Sequence, residues 1–349
     1  MAYAARAPGK LILSGEHSVV YGAPALVAAI ARYTTVHFTP LHRSKSIRTI
    51  FKGLPKAPPY PLHALHKLKQ TLDEHFEQFS RGQREVQHIL NRPDDLLIYT
   101  LATFAQHIPL PGRTSSKHLP MPGRLRSESE LPLGAGMGSS ASAIAASIRL
   151  YEHLLDKPLT ISERFERVRF CERLQHGKGS AIDAAAVTYG GLQYLEDATP
   201  QPLAASLNSN GHWYWILHGY PEASTGEVVA HVRRKHGNDQ PLWQQFAACS
   251  DTLRQQLLTN ASPADCLNEN QHLLEHIGIV PETAKALITT INHHGGSAKI
   301  SGAGAHRGNG GGIILAWHPE PNTIPELLTN HTLPWGELHL AEQGATLIT

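Results

Sequence analysis

Cysteine is scarce: the 349-residue chain carries three, Cys171, Cys249 and Cys266. They are odd in number and have no CxxC spacing, which argues against a disulfide framework and a zinc knuckle and fits a reducing compartment. Long apolar runs are missing too. No stretch approaches the length of a membrane span, and the opening MAYAARAPGKLILSG has no apolar core before its Pro-Gly-Lys turn. From these absences we expect a soluble, cytoplasmic protein that does not enter a membrane. Nor is there an excess of one charge. Against 31 Lys and Arg stand 29 Asp and Glu, so a net +2 gives no general electrostatic reason to bind nucleic acid or an anionic membrane. Charged residues make up only 17% and hydrophobic ones 41%, too apolar a balance for a disordered chain. Internal repeats, heptads and low-complexity tails are absent. The length exceeds what one hydrophobic core usually serves, and we expect two packed lobes, residues 1–195 and 196–349.

Leu11-Ile12-Leu13 is a short apolar run ended by Ser14-Gly15, and Pro24-Ala25-Leu26-Val27-Ala28-Ala29-Ile30 follows a polar stretch. Strand, loop and a short proline-opened helix is the simplest reading. Tyr33 to Phe38 alternates in β-rich residues and stops before Pro40, as a strand does. The proline-rich stretch 53–62 predicts a loop, and 63–79 and 94–108 carry apolar residues at helical spacing. Arg124 to Leu131 alternates and runs into Pro132-Leu133-Gly134-Ala135-Gly136-Met137-Gly138-Ser139-Ser140, after which Ala141 to Leu155 is rich in helix formers. A helix over 162–175 leads to His176-Gly177-Lys178-Gly179-Ser180, and another starts near Ala181. Trp213 to Leu217 opens a second set of strands and helices, in which Ile313 to Trp317 reads as a buried strand after a glycine-rich run.

Four constellations carry chemistry. The loop from Gly134 to Ser140 stands at a helix N-terminus, where glycines admit a ligand close to the backbone and unpaired N–H groups face it at the positive end of the dipole. That suits a phosphate, and a serine hydroxyl there can ligate magnesium. It is neither a Walker A loop, since no Lys-Ser or Lys-Thr follows its last glycine, nor a GxGxxG fingerprint. A tight turn with Ser139 or Ser140 capping the helix is the plain alternative. Glu172 and Asp183 flank the second constellation. Carboxylates beside a phosphate loop can divide their labour, one holding magnesium and the other taking a proton from a nucleophile. Taken singly, each reads more readily as structural, Glu172 as a solvated helix residue and Asp183 as a first-turn carboxylate. The third, Ala7-Pro8-Gly9-Lys10 with Gly15-Glu16-His17-Ser18, suits an anionic, hydroxylated small molecule or a solvated loop. The fourth, Lys299-Ile300-Ser301-Gly302-Ala303-Gly304, either packs near the phosphate loop or only makes turns. The histidine pairs His63 with His66 and His293 with His294 lack a third ligand and read as solvated. No GxSxG elbow occurs, which weighs against a serine hydrolase.

Taken together, these stretches resemble the GHMP kinase superfamily, most closely its mevalonate kinase branch. APGKLILSGEHSVVYGAPALVAAI is similar to the first motif, SELPLGAGMGSSASA to the second, CERLQHGKGSAIDAAAVTYGG to the acidic segment and KISGAGAHRGNGGGIIL to the third. The resemblance spans nearly the whole chain. It implies an α+β fold of two lobes, the first like domain 2 of ribosomal protein S5 and the second ferredoxin-like, with ATP and acceptor meeting between them. It implies that Gly134, Ala135, Gly136, Met137, Gly138, Ser139 and Ser140 cradle ATP phosphates, that Ser140 and Glu172 hold Mg2+, that Asp183 is the catalytic base and that Lys10 pairs with it. Glu16, His17, Ser180 and Thr225 fall on the acceptor side. The implied reaction moves the ATP γ-phosphoryl group to the C5 hydroxyl of mevalonate, a step of isoprenoid precursor synthesis. The implied partners are small molecules, and a homodimer is compatible with it.

Two departures stand out. Gly179-Ser180-Ala181 replaces the Pro-Ser-Gly run usual in the family, and Ala184 replaces the asparagine common after the aspartate. In the third motif, Ala305-His306-Arg307-Gly308-Asn309 interrupts the glycines, and we expect this segment to loop outward rather than bring Arg307 to a phosphate. Rival readings are a phosphomevalonate, sugar or homoserine kinase, or a catalytically silent nucleotide-binding regulator. The Gly-Glu-His-Ser-Val-Val-Tyr-Gly string favours mevalonate. Joint retention of Lys10, Glu172 and Asp183 argues against a silent protein.

Overall fold

Strand side chains alternate between two faces, so a strand buried on both sides serves two cores at once. In the computed structural model, which describes residues 3–52, 56–106, 121–207 and 211–348, β1 (Tyr3–Ser14) and β2 (Ala25–Pro40) pair antiparallel and do this. Leu11 and Leu13 of β1, with Leu26, Ala28 and Ile30 of β2, point into one apolar cluster. Ala5, Ala7 and Ile12, with Ala25, Val27 and Ala29, point into the other. The inward residues of β1 switch from odd to even numbers because the register shifts between Pro8 and Gly9. The shift leaves Ala31 and Arg32 of β2 opposite no residue of β1, and such an irregularity re-aims the side chains that follow it. Lys10 therefore shares a face with Ile12.

The segment 24–30 is the first half of β2 and not the short helix expected from its proline. Ala25 to Ile30 is buried on both faces, between β1 and a later strand. A run buried throughout shows no alternation, and periodicity cannot then separate strand from helix.

After β2 come β3 (Ser46–Phe51), β4 (Tyr60–Pro61), α1 (Leu65–Ser80), α2 (Asp95–Gln106), β5 (Gly123–Ser129), α3 (Ser139–Leu154), α4 (Ile161–His176), α5 (Ala181–Tyr189), β6 (Leu192–Glu196) and β7 (Thr199–Leu203). The parts of the expected loop at 53–55 and of the expected helix at 107–108 lie outside the described residues. In the first sheet β5 pairs with β2 antiparallel and with β3 in parallel, and β6 lies against the early half of β2. The five helices cover one face of this sheet, with residues of α1 to α5 in one cluster with Ile12 and Val27.

The second lobe follows as β8 (His212–Leu217), α6 (Thr225–His236), α7 (Gln240–Thr259), α8 (Ala264–His276), α9 (Glu282–His293), β9 (Ser297–Ser301), β10 (Ile313–His318), α10 (Thr323–Leu328) and β11 (Trp335–Glu337). Its four strands form an antiparallel sheet in the order β11-β8-β10-β9. The last strand, β12 (Thr346–Ile348), returns to pair with β1. The expected division at 195 falls inside the β6–β7 hairpin. That hairpin turns through Asp197 and Ala198 with φ of 48° and 60°, the pattern of a two-residue turn that keeps strands paired. The first sheet thus runs on to Leu203 and also takes back β12. No helix among the described residues is long and apolar enough to cross a membrane.

Leu11 is fully buried where β1 feeds the second-lobe core. Leu11→Ala is expected to lower stability by about 2–5 kcal/mol in urea denaturation, because the sheet on one side and the helices on the other limit collapse of the cavity. A loss below about 1 kcal/mol would mean that the junction repacks freely.

Candidate active site

The loop between β5 and α3 is shaped by three left-handed glycines, Gly134, Gly136 and Gly138, with φ of 78°, 90° and 74°. Other residues are strained in that region. Ala135 and Met137 between them are buried, so their side chains anchor the loop while its exposed backbone remains available to a ligand. The Lys10 N–H donates to Met137 O at 3.0 Å and fastens the loop to β1. A β-carbon on Gly138 would lie 2.8 Å from Lys10 Cγ, so glycine is what lets the loop rest on the lysine stem. Helix α3 begins at Ser139 with no side chain capping it. Ser139 and Ser140 are helical residues, not caps, and the first-turn N–H groups and the positive end of the dipole face outward. This is the arrangement that binds phosphate.

Glu172 and Asp183 reach the same place from α4 and α5. A capping box of Thr160 and Glu163 starts α4, and Gly177, with φ 76°, ends it. The chain then turns so tightly that a β-carbon on Gly179 would sit 2.0 Å from Arg169 O. Ser180 caps α5 by accepting from Asp183 N–H at 3.2 Å. Lys10 Nζ lies 2.8 Å from Asp183 Oδ1. Ser140 Oγ donates to Glu172 Oε1 at 3.3 Å and lies 3.4 Å from His176 Nε2.

Burial alone would raise the Asp183 carboxyl, but the adjacent Lys10 ammonium outweighs it and holds the group below the usual carboxylate range. Glu172 goes the other way. Burial, then the neighbouring Asp183 charge, pushes it well above that range, against the opposing pull of Lys10 and the Ser140 hydroxyl. Glu172 Oε2 is buried without a hydrogen-bond partner among the described residues. A carboxyl in that state gains most from a nearby cation. One carboxylate and one hydroxyl beside a phosphate cradle match how Mg2+ is held, with few protein oxygens and the rest from phosphate and water. Among the described residues no cluster of three His, Cys, Asp or Glu could hold a metal by itself.

In the loop after β1, Glu16 is buried and its Oε1 accepts from Lys299 Nζ, while Oε2 has no hydrogen-bond partner among the described residues. His17 is also buried, with Nε2 donating to Ala303 O at 2.9 Å. Thr225 is exposed in the first turn of α6, and no hydrogen bond or ion pair among the described residues ties it to Lys10 or Asp183. Arg307 is exposed and pairs with Glu227 at 2.9 Å; residues 307–309 face outward, whereas Ala305 at the start of the segment is buried with its N–H on Ile279 O. Sequence reasoning missed the pairing of Lys299 with Glu16 and the His176 contact with Ser140. The signal for the first was available, a lysine inside a strand whose five residues are all buried.

A model of the GHMP kinases N terminal domain matches residues 99–191, the span that holds α3, α4 and α5. A mevalonate kinase of Thermococcus gammatolerans is 28% identical over 352 aligned positions, covering 97% of this chain and 95% of that protein. The solved mevalonate kinase of Methanococcus jannaschii superposes with a TM-score of 0.79 at 18% identity, covering 97% of this chain and 98% of the other. A Lactococcus lactis galactokinase complexed with galactose shares the fold at a TM-score of 0.72 and 14% identity, covering 99% and 95%. Shape alone does not choose the acceptor.

Burial holds the His17 imidazole below the usual histidine range, despite the Ala303 carbonyl that favours its charged form. The unfolded chain then takes up a proton near pH 6.5 that the folded chain refuses. Stability from this group is complete above about pH 6.5 and declines as the pH falls toward the folded value. Thermal midpoints should be level from about pH 8 to 7 and drop below about 6.5. His17→Asn, whose side chain tolerates the left-handed backbone, should lose part of that slope. An unchanged slope in the variant would assign it to other histidines.

Proposed function

The chain belongs to the GHMP kinase superfamily, and from that premise we propose that it transfers the γ-phosphoryl group of ATP to the C5 hydroxyl of mevalonate. The observation that carries this reading is the ion pair of Lys10 and Asp183, 2.8 Å apart, beside the open N-terminus of α3. The likeness in sequence to mevalonate kinases over 97% of the chain supports the acceptor.

Phosphoryl transfer asks the protein for placement and charge stabilisation more than for covalent chemistry. The Gly134 to Ser140 backbone and the first turn of α3 would bind the phosphates. Ser140 and Glu172 are the residues that would hold Mg2+, which when bound neutralises phosphate charge. The acceptor hydroxyl would lie against Asp183 and Lys10. As its oxygen forms a bond to the γ-phosphorus, the bond from that phosphorus to the bridging oxygen breaks, ADP leaves and the hydroxyl proton passes to the Asp183 carboxylate. A carboxylate held low by Lys10 is ionised at neutral pH but is a weak base. The same ammonium offsets this by stabilising the oxygen as it becomes negative. A late proton transfer suits a loose transition state, in which the acceptor needs little activation.

The four residues expected on the acceptor side divide in this reading. Glu16 and His17 shape the loop beside Lys10. Ser180 acts by holding the start of α5, and so the position of Asp183, through its cap. Thr225 would reach the acceptor only from the second lobe.

Asp183→Asn is expected to lower kcat by about 10²–10⁴-fold while ATP binding, followed by fluorescence titration, is retained. Near-normal turnover would remove Asp183 from the role of base. The acceptor is tested by magnesium-dependent ADP release with mevalonate beside phosphomevalonate, homoserine and galactose. Stimulation by mevalonate alone is the expected result, and stimulation by another of the four would keep the kinase and replace the substrate.

A further inference from the structure

Lys299 is a fully buried cation outside the phosphate and acid groups. It stands in β9, donates to the Glu16 carboxylate and to Ile300 O, the latter at 2.8 Å, and closes a contact between the two lobes. Two opposite charges taken out of water are not retained for stability as such, since a well-packed apolar pair often serves as well or better. The neighbouring contacts show what else the pair does. Ser301 Oγ donates to Ile12 O and accepts from Ile12 N–H, both at 3.0 Å, and His17 Nε2 donates to Ala303 O at 2.9 Å. Three consecutive tethers from residues 299–303 thus grip residues 12–17.

Between them the backbone is left-handed at Gly15 and at His17, with φ of 99° and 59°. For histidine that conformation is uncommon, and it persists where the surroundings over-determine it. Gly15 cannot relax sideways either, because a β-carbon there would lie 2.5 Å from Ala25 Cα. We infer that Lys299 is a positioning residue: by gripping Glu16 from the second lobe, it holds the Gly15 to Ser18 loop in the one conformation that presents the acceptor side of the cleft. The inference rests on the acceptor-side reading of Glu16 and His17 given above. A residue of the second lobe then sets acceptor affinity without touching the acceptor.

The test compares the wild type with Lys299→Met, Glu16→Gln and the double variant, using the full-length chain. Hydrogen exchange of a peptide spanning 14–22 is read against one spanning 134–140, and KM is measured for mevalonate and for ATP. In Lys299→Met, exchange over 14–22 should quicken about tenfold or more while 134–140 keeps its rate. The mevalonate KM should rise by about 10–100-fold and the ATP KM stay within about twofold. If stranding the Glu16 charge prevents that variant from folding, the double variant removes both charges and should show the same pattern. Wild-type exchange over 14–22 with an unmoved mevalonate KM, in either variant that folds, would overturn the inference. So would parallel increases in both KM values, which mark general loosening. Glu16→Gln giving the whole mevalonate effect with normal exchange would assign the effect to direct contact and overturn it too. If the wild type shows no turnover with mevalonate, the proposed function fails, and the exchange comparison still judges the tether.

Discussion

The register shift between Pro8 and Gly9 governs where the chemistry can occur. Past that shift, where Ala31 and Arg32 of β2 have no partner in β1, even-numbered side chains of β1 face the helices, and Lys10 lands on the side where α5 presents Asp183. Without it, the lysine would point toward the second-lobe cluster with Leu11 and Leu13, and a charge would be left among apolar groups without a partner. Glycine at the shift has a further use. A β-carbon on Gly9 would lie 2.4 Å from Leu131 Cδ2 and 3.0 Å from Met137 O, so its absence lets the glycine loop close onto β1. One local irregularity in a strand therefore places the cation, the anion and the glycine loop together.

Around that cation the two acids are separated by environment and not by type. Asp183 has the ammonium beside it and stays ionised, whereas Glu172 has burial and a like charge and is driven upward. Pairs of carboxyls whose surroundings push them apart divide roles in this way at many reacting centres. The seam between residues 12–17 and 299–303 is built on other terms, with a buried ion pair and backbone tethers crossing from one lobe to the other. Both sides act through β1, one of the two strands that serve both cores.

Elements with a clear period or a clear stop were legible in the sequence. α4, expected over 162–175, runs from Ile161 to His176, and α1, expected over 63–79, runs from Leu65 to Ser80. The glycine loop at the start of α3 was legible because glycines and serines at a helix N-terminus have few other uses. The early half of β2 was not, since burial on both faces erases alternation. The hairpin through Asp197 and Ala198 carries no glycine or asparagine to announce its turn, and so the lobe boundary was placed inside it. Contacts between distant segments, such as Lys299 with Glu16, leave only a faint trace in sequence, here a lysine where a buried strand has no use for an unpaired charge. Thr225 was placed by resemblance alone, and in the structure it is exposed at the start of α6.

The pairing of β12 with β1 joins Ala4, Ala5 and Arg6 to Ile348, Leu347 and Thr346. For a chain made from one end to the other, this has a consequence in time. The strand that carries Lys10 is made before the whole second lobe, yet its edge at residues 4–6 lacks the β12 partner until residues 346–348 arrive. An unpaired edge is a template for pairing with another chain. The nascent first lobe must therefore pass the whole synthesis of the second with an open flank, which is sealed only once the strand beyond the second lobe has been made.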